Sequence, residues 1–324
     1  MIELADGCVL HGWGQQIAYY QKEALPYIAA CGAEPAIISD YADLGLVHGA
    51  TPQVIAWARQ QHSQVVGEMD DEALAKLIDK LSVTPAKFMR FRRQQGKDYM
   101  LLLGVSWFRF TDEAVAGGAM DAAIELLADE AKSCDGPVML RPGYEFGPHG
   151  ITGQKGQTTR EHYASMFRHF VDIFRRRGAT NVAFVWNTVG VEAYDYWMDY
   201  YPGDDYVDWW GVNLFSTNQI AGCGPFLAAA RDHGKRVIIC ESAPAFAGGT
   251  TDPNVIERFF TPYFDLLAEH DHIQAFVYIN VDWASQEGSL FTSWPDSRIQ
   301  SSPQVQSFYR DAIRGERFVH LRQT

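Results

Sequence analysis

The chain is short of positive charge, of paired cysteines and of long apolar runs, and each shortage removes a class of function. Lys and Arg total 27 against 40 Asp and Glu, a formal charge of −13. Nucleic acid, whose phosphates demand Lys and Arg, is therefore not an expected partner. The acidity names no partner by itself, because it also serves solubility. There are five cysteines, an odd number, with no Cys-x-x-Cys pair. Cys8 and Cys240 sit in strand-like runs as buried thiols, and the pattern suits a reducing compartment better than a disulfide framework. No segment approaches the ~18 apolar residues of a membrane span. The opening MIELADGCVLHGWG lacks a basic region followed by an apolar stretch. As it stands the sequence predicts a cytoplasmic protein, or a secreted or periplasmic one if a leader has been trimmed.

Several catalytic signatures are also missing. His11-Gly12-Trp13-Gly14 is followed by Gln15-Gln16, which fails the dinucleotide-binding turn. No Gly-x-Ser-x-Gly elbow or Walker lysine loop occurs, and no three His or Cys stand at zinc-ligand spacing. The expectation is no cofactor and no metal.

What is present is a large apolar content, 47%, with nine Trp, fifteen Tyr and nineteen Phe. Most of these aromatics belong to core packing, although Trp and Tyr at strand ends also stack on flat ligand faces. Strand-like runs fall at 8–13, 34–39, 100–107, 137–143, 181–187, 207–215, 236–242 and 275–281. Their near-continuous apolarity suits strands covered on both faces. Helical stretches fill the gaps at 15–31, 112–134, 158–178, 225–233, 254–270 and 303–314, with a short one within 191–201. Eight strands, each followed by a helix, predict an α/β fold, a single (β/α)8 TIM barrel spanning 1–324. The region 40–98 is too long for one strand-to-helix unit and reads as a helical insertion after the second strand. The alternative architecture is an open doubly wound sheet.

In such a barrel, functional residues come from the C-terminal strand ends. The fourth run, VMLRPGYEFGPH, turns polar at Arg141, Tyr144 and Glu145 before a loop with Gly147, Pro148 and Gly150. The seventh, RVIICESAP, ends its apolar stretch in Glu241. A carboxylate at the end of a buried strand is costly unless paired or used. The other ends offer His11 and Trp13, Asp40 and Tyr41, Trp107, Trp186 and Asn187, Asn213 and Phe215, then Asn280, Asp282 and Trp283. Two carboxylates among amides and indoles are the composition of a sugar site. None of the eight ends carries the Lys that a Schiff-base enzyme would want.

These motifs resemble glycoside hydrolase family 26, the β-mannanase family. Arg-Pro-x-x-Glu (141–145) is similar to its acid/base motif, and YYPGDDYVDWWGVNLF (200–215) to the segment leading its sixth strand. Glu241 stands where the wider clan keeps its nucleophile, and Trp283 where it often keeps a stacking aromatic. The likeness is best from about 100 to 284. Two positions depart from the pattern. Tyr144 replaces the family's His (Asn elsewhere in the clan), a residue that contacts the sugar 2-hydroxyl. Phe215 replaces a tyrosine that supports the nucleophile.

The resemblance implies a retaining β-glycoside hydrolase acting on β-linked oligo- or polysaccharide by double displacement, with its two carboxyl groups about 5–5.5 Å apart. Glu145 is then the acid/base and Glu241 the nucleophile, with Arg141 near the floor favouring the ionised carboxylate. Tyr144, Trp13, His11, Tyr41, Trp107, Trp186, Asn187, Asn213, Asn280, Asp282 and Trp283 make up the expected substrate contacts. Competing readings are a carbohydrate-binding barrel without catalysis, a glycosidase of another linkage or stereochemistry, and a different barrel enzyme. For single residues the competing readings are a buried Glu145–Arg141 salt bridge, core packing for Trp13, Trp107 and Trp186, and turn capping for Asp40, Asn280 and Asp282.

Overall fold

The computed structural model describes residues 5, 7–61, 69–107, 110–147, 159–189, 196–285 and 293–321. Eight parallel strands follow one another around a closed sheet: β1 (Val9–Gly14), β2 (Ile37–Asp43), β3 (Met100–Ser106), β4 (Val138–Pro142), β5 (Val182–Val189), β6 (Trp209–Leu214), β7 (Arg236–Ser242) and β8 (Ile273–Ile279). Closure comes from β1, which pairs with both β8 and β2. Helices occupy the connections, so the architecture is the expected (β/α)8 barrel. Among the described residues between β2 and β3 lie the helices Pro52–Gln61, Asp71–Leu81 and Pro85–Gln95, in the place of the helical insertion. A two-residue strand, β9 (Phe318–Val319), adds to the start of β1.

Local chemistry sets the helix ends. The helix Arg160–Arg177 opens where the Thr159 side chain accepts the His162 N–H, and it stops at Gly178, whose φ of 74° suits a residue without Cβ. Of the short helix expected within 191–201, Tyr196–Tyr200 form a 3-10 turn and 191–195 lie outside the described residues.

Side-chain alternation divides the barrel into two compartments. Inward residues Leu10, Ile37, Leu102, Met139, Val185, Trp209, Ile238, Cys240 and Val277 fill the axis with a packed floor. Outward residues join the helices in a larger core. That parity corrects three expected substrate contacts. Trp13, fully buried, packs edge-on against Tyr20, their centroids 6.4 Å apart. Trp186, also fully buried, stacks on Phe146 at 4.7 Å and meets Trp210 at 4.9 Å. Both are core because their strands present odd and even residues to opposite faces.

His11 is the third. Its Nδ1 lies 3.0 Å from His320 Nδ1 and its Nε2 2.5 Å from the Tyr27 hydroxyl, which lies 2.7 Å from Tyr309. The direction of this chain follows from its end: His320 Nε2 donates to the Ile313 carbonyl, 3.0 Å away. His320 Nδ1 must therefore accept from His11 Nδ1–H, and His11 Nε2 accepts from Tyr27. The relay ties the C-terminal segment to β1.

Burial, then His320, holds His11 well below the ordinary histidine value, and burial lowers His320 as well. Both rings are neutral in the fold and gain a proton more readily once unfolded, so their contribution is complete above about pH 6.5 and is lost as pH falls below it. Between pH 7.5 and 5 the melting temperature of the parent is expected to fall relative to that of a His11→Gln/His320→Gln variant. An equal change in both proteins would remove the relay from the explanation.

Candidate active site

Above the hydrophobic floor the inward positions turn polar. Tyr41 pairs in register with Gly104, and Gly104 with Arg141, so the three form one row across β2, β3 and β4. Arg141 is fully buried. Its Nη1 donates to Glu241 Oε1 at 2.7 Å and to Asn187 Oδ1 at 3.0 Å, and its Nη2 reaches Ser39 Oγ at 3.3 Å. The faces of Tyr41 and Tyr144 cover the guanidinium at 5.5 and 5.1 Å. Burial works against the arginine's charge, but Glu241 and its other neighbours outweigh it, and its pKa lies above the ordinary value. The buried ion pair is thus Arg141–Glu241, and Glu145 is left for another partner.

Glu241 does not reach the cavity by simple alternation. On β7, Cys240 already faces the axis, and strict period two would turn Glu241 outward. Between Ile239 and Ser242, β7 advances three residues while β8 advances two, and β6 skips Cys240 by pairing Asn213 with Glu241. This bulge re-aims Glu241 at Arg141. At the end of β4 the chain leaves strand geometry through two left-handed residues, Gly143 at φ 57° and Glu145 at φ 54°. Tyr144 and Glu145 then both face the site, while Phe146 turns back to stack on Trp186. A non-glycine residue in that region costs about 1–2 kcal/mol.

Glu145 is half-buried and accepts from Asn213 Nδ2 at 2.8 Å, while Asn213 Oδ1 accepts from Asn187 Nδ2 at 3.1 Å. Removal from water, then the charge of Glu241, pushes the Glu145 carboxyl up to about 7, against the opposing Asn213 hydrogen bond and Arg141. The Tyr144 phenol is raised by burial and by the Glu241 and Glu145 charges, and so stays protonated.

The structure therefore gathers Arg141, Tyr144, Glu145, Asn187, Asn213, Glu241 and Tyr41 into one constellation. Others go elsewhere. Trp107 packs outside the barrel, its Nε1 donating to Asp112 at 2.9 Å. The Asn280 side chain is spent on the Ile299 N–H at 2.8 Å and on Gln300 at 3.1 Å. Asp282 pairs with Arg298 at 3.3 Å, beside Asp296 at 2.7 Å. Trp283 is nearly closed off, edge-on to Trp294 at 5.0 Å and donating to Ser297 at 3.3 Å. Phe215 joins the same cluster.

Four residues escaped the sequence reading. Ser39 and Asp43 did so because β2 runs three to four residues later than expected, 37–43 and not 34–39. Asp40, offered instead, faces outward and accepts from the Ile17 and Tyr41 N–H groups at 2.7 Å each, with burial raising it to about 7. Asp43 takes the Ser106 hydroxyl at 3.0 Å at the barrel mouth. Phe246, 59% exposed, and the half-buried Trp294 touch at 5.0 Å. A lone aromatic beyond a strand end gives little signal; the Gly248-Gly249 turn after Phe246 is the one local hint.

A parallel (β/α)8 barrel with two carboxyl groups of unequal environment at its C-terminal mouth defines the class. Residues 110–281, more than half of the chain, match glycosyl hydrolase family 26, and the chain belongs to that family. A β-1,3-xylanase (TXYA) from a Vibrio species is 30% identical over 250 residues, 68% of this chain and 52% of the relative. Endoglucanase H of Acetivibrio thermocellus is 30% identical over 233 residues, 65% of this chain and 24% of the relative. The match thus spans about half the length of the xylanase and a quarter of the endoglucanase. The family 26 β-mannanase BoMan26A of Bacteroides ovatus superposes with a TM-score of 0.61 at 16% identity, covering 98% of this chain and 88% of that one, a likeness of fold.

Because Trp186 is core, Trp186→Ala is expected to destabilise the protein by about 3–5 kcal/mol, measured by denaturant unfolding. A loss below 1 kcal/mol would mean that the indole does not hold this shell together.

Proposed function

We propose that the chain is a retaining β-glycoside hydrolase that cleaves β-linked oligo- or polysaccharide by double displacement. The observation that carries the reading is the contrast between its two carboxyl groups. Glu145 is pushed up to about 7, the condition of a proton donor, while Glu241 lies against a buried guanidinium at 2.7 Å, the condition of an anionic nucleophile.

In the first step a Glu241 oxygen attacks the anomeric carbon. The glycosidic C–O bond breaks, and its oxygen takes the proton of Glu145. In the second step Glu145, now a carboxylate, removes a proton from water. The water oxygen attacks the anomeric carbon, and the ester bond to Glu241 breaks, restoring both groups. Asn213 and Tyr144 border this space from β6 and β4 and are the side chains placed to meet ring hydroxyls. Phe246 and Trp294 at the mouth offer apolar faces for flanking sugar rings. β-1,3-xylan is the first polymer to test, because the Vibrio relative is named for it.

Glu145→Gln and Glu241→Gln are each expected to lower kcat at least about a thousandfold with melting temperatures within a few degrees of the parent. Azide added to Glu241→Ala should restore turnover and yield the α-glycosyl azide. Activity depends on protonated Glu145, so kcat/KM should fall as pH rises through about 7, and that limb should vanish in Glu145→Gln. Near-parental turnover in either glutamine variant sinks the assignment.

A further inference from the structure

Tyr41 does more than line the cavity. Its ring lies against the guanidinium that holds the Glu241 carboxylate, which puts its phenol within electrostatic reach of that carboxylate. The placement is built into the sheet. Tyr41, Gly104 and Arg141 share one register row, and a Cβ on Gly104 would stand 2.9 Å from Tyr41 Cδ1 and 3.0 Å from Tyr144 Cδ1. Only a residue without a side chain leaves room for both rings. Tyr41 and Tyr144 then brace one another, centroids 5.3 Å apart at 51°, over Arg141.

We propose that Tyr41 is a positioning residue for the nucleophile: its hydroxyl donates to Glu241, so that with Arg141 it clamps the carboxylate between donors from two strands, β2 and β4. The assignment rests on Glu241 being the nucleophile. One donor leaves a carboxylate free to swivel about it; two donors on different strands fix its plane. Burial, followed by the Glu241 charge, raises the Tyr41 phenol well above its ordinary value, so it remains a donor throughout the working pH range.

The clamp has an unequal effect on the two chemical steps. Glu241 gives up its negative charge as the glycosyl ester forms and regains it as the ester breaks. A donor to the free carboxylate therefore helps it depart in the second step and does not help it attack in the first. Removing the hydroxyl should slow deglycosylation selectively.

The test uses Tyr41→Phe with 2,4-dinitrophenyl β-xylobioside, or the same aryl glycoside of whichever disaccharide the parent protein hydrolyses. Its leaving group needs no protonation, so kcat reports deglycosylation and kcat/KM reports glycosylation. The expected result is a kcat about ten- to a hundredfold lower, with KM falling alongside and kcat/KM changing by less than about threefold. Peptide mapping of the quenched steady state should show the sugar accumulating on Glu241. Gly104→Ala, whose methyl displaces the Tyr41 ring, should give the same split and stands in if Tyr41→Phe folds poorly. A raised KM at unchanged kcat would make Tyr41 a substrate contact. An equal fall in kcat and kcat/KM would make its role merely structural. An unchanged kcat would leave the hydroxyl without a role in turnover. Each of these overturns the proposal. Label on a residue other than Glu241 would instead overturn the nucleophile assignment beneath it.

Discussion

The ion pair between Arg141 and Glu241, 2.7 Å apart and cut off from solvent, is the constraint to which the polar part of the barrel answers. Two charges taken out of water cost several kcal/mol each unless their remaining donors and acceptors are met. That requirement explains the neighbours. Asn187 and Ser39 accept from the two guanidinium nitrogens, and two tyrosine faces cover the cation. Asn187 in turn fixes Asn213, which reaches Glu145. The second carboxyl group is thus oriented through a chain of hydrogen bonds that begins at the first.

The same pair sets the electrostatic asymmetry. Arg141 lies against Glu241 and leaves Glu145 with a single amide donor, beside a fixed negative charge and away from bulk water. Two glutamates on one barrel mouth thereby stand in different electrostatic surroundings without any difference in their own chemistry. A cation shared evenly between them would have erased that difference.

Geometry is supplied by two departures from regular strands. The β7 bulge turns Glu241 toward the axis, and left-handed backbone at Gly143 and Glu145 takes the chain out of β4 with Tyr144 and Glu145 both at the site. Such conformations persist only where their surroundings over-determine them. Here Phe146, the residue after Glu145, is locked into the outer aromatic shell with Trp186, Tyr163 and Tyr200. The aromatic wealth of the sequence therefore serves the site from outside, by holding backbone in place.

Much of this was legible in the linear sequence. Apolar runs of strand length alternating with amphipathic stretches specified eight strands, a barrel and the helical insertion, because burial on two faces leaves a compositional trace. Glu145, Glu241 and Arg141 stood out because charge at the end of an apolar run is rare and costly. Which face each strand residue takes was not legible, since composition is blind to parity. Trp186 differs by one position from Asn187, a cavity residue, and Trp13 and His11 fall on the outward parity of β1. Ser39 and Asp43 were obscured by a shift of β2, whose boundary depends on register with β3 and not on its own residues. The sequence by itself determined the architecture and the ionisable groups, because both follow from local hydrophobicity and charge. Only the tertiary structure decided which groups face one another, because a bulge, left-handed backbone after β4 and the room left by Gly104 act between strands far apart in the chain.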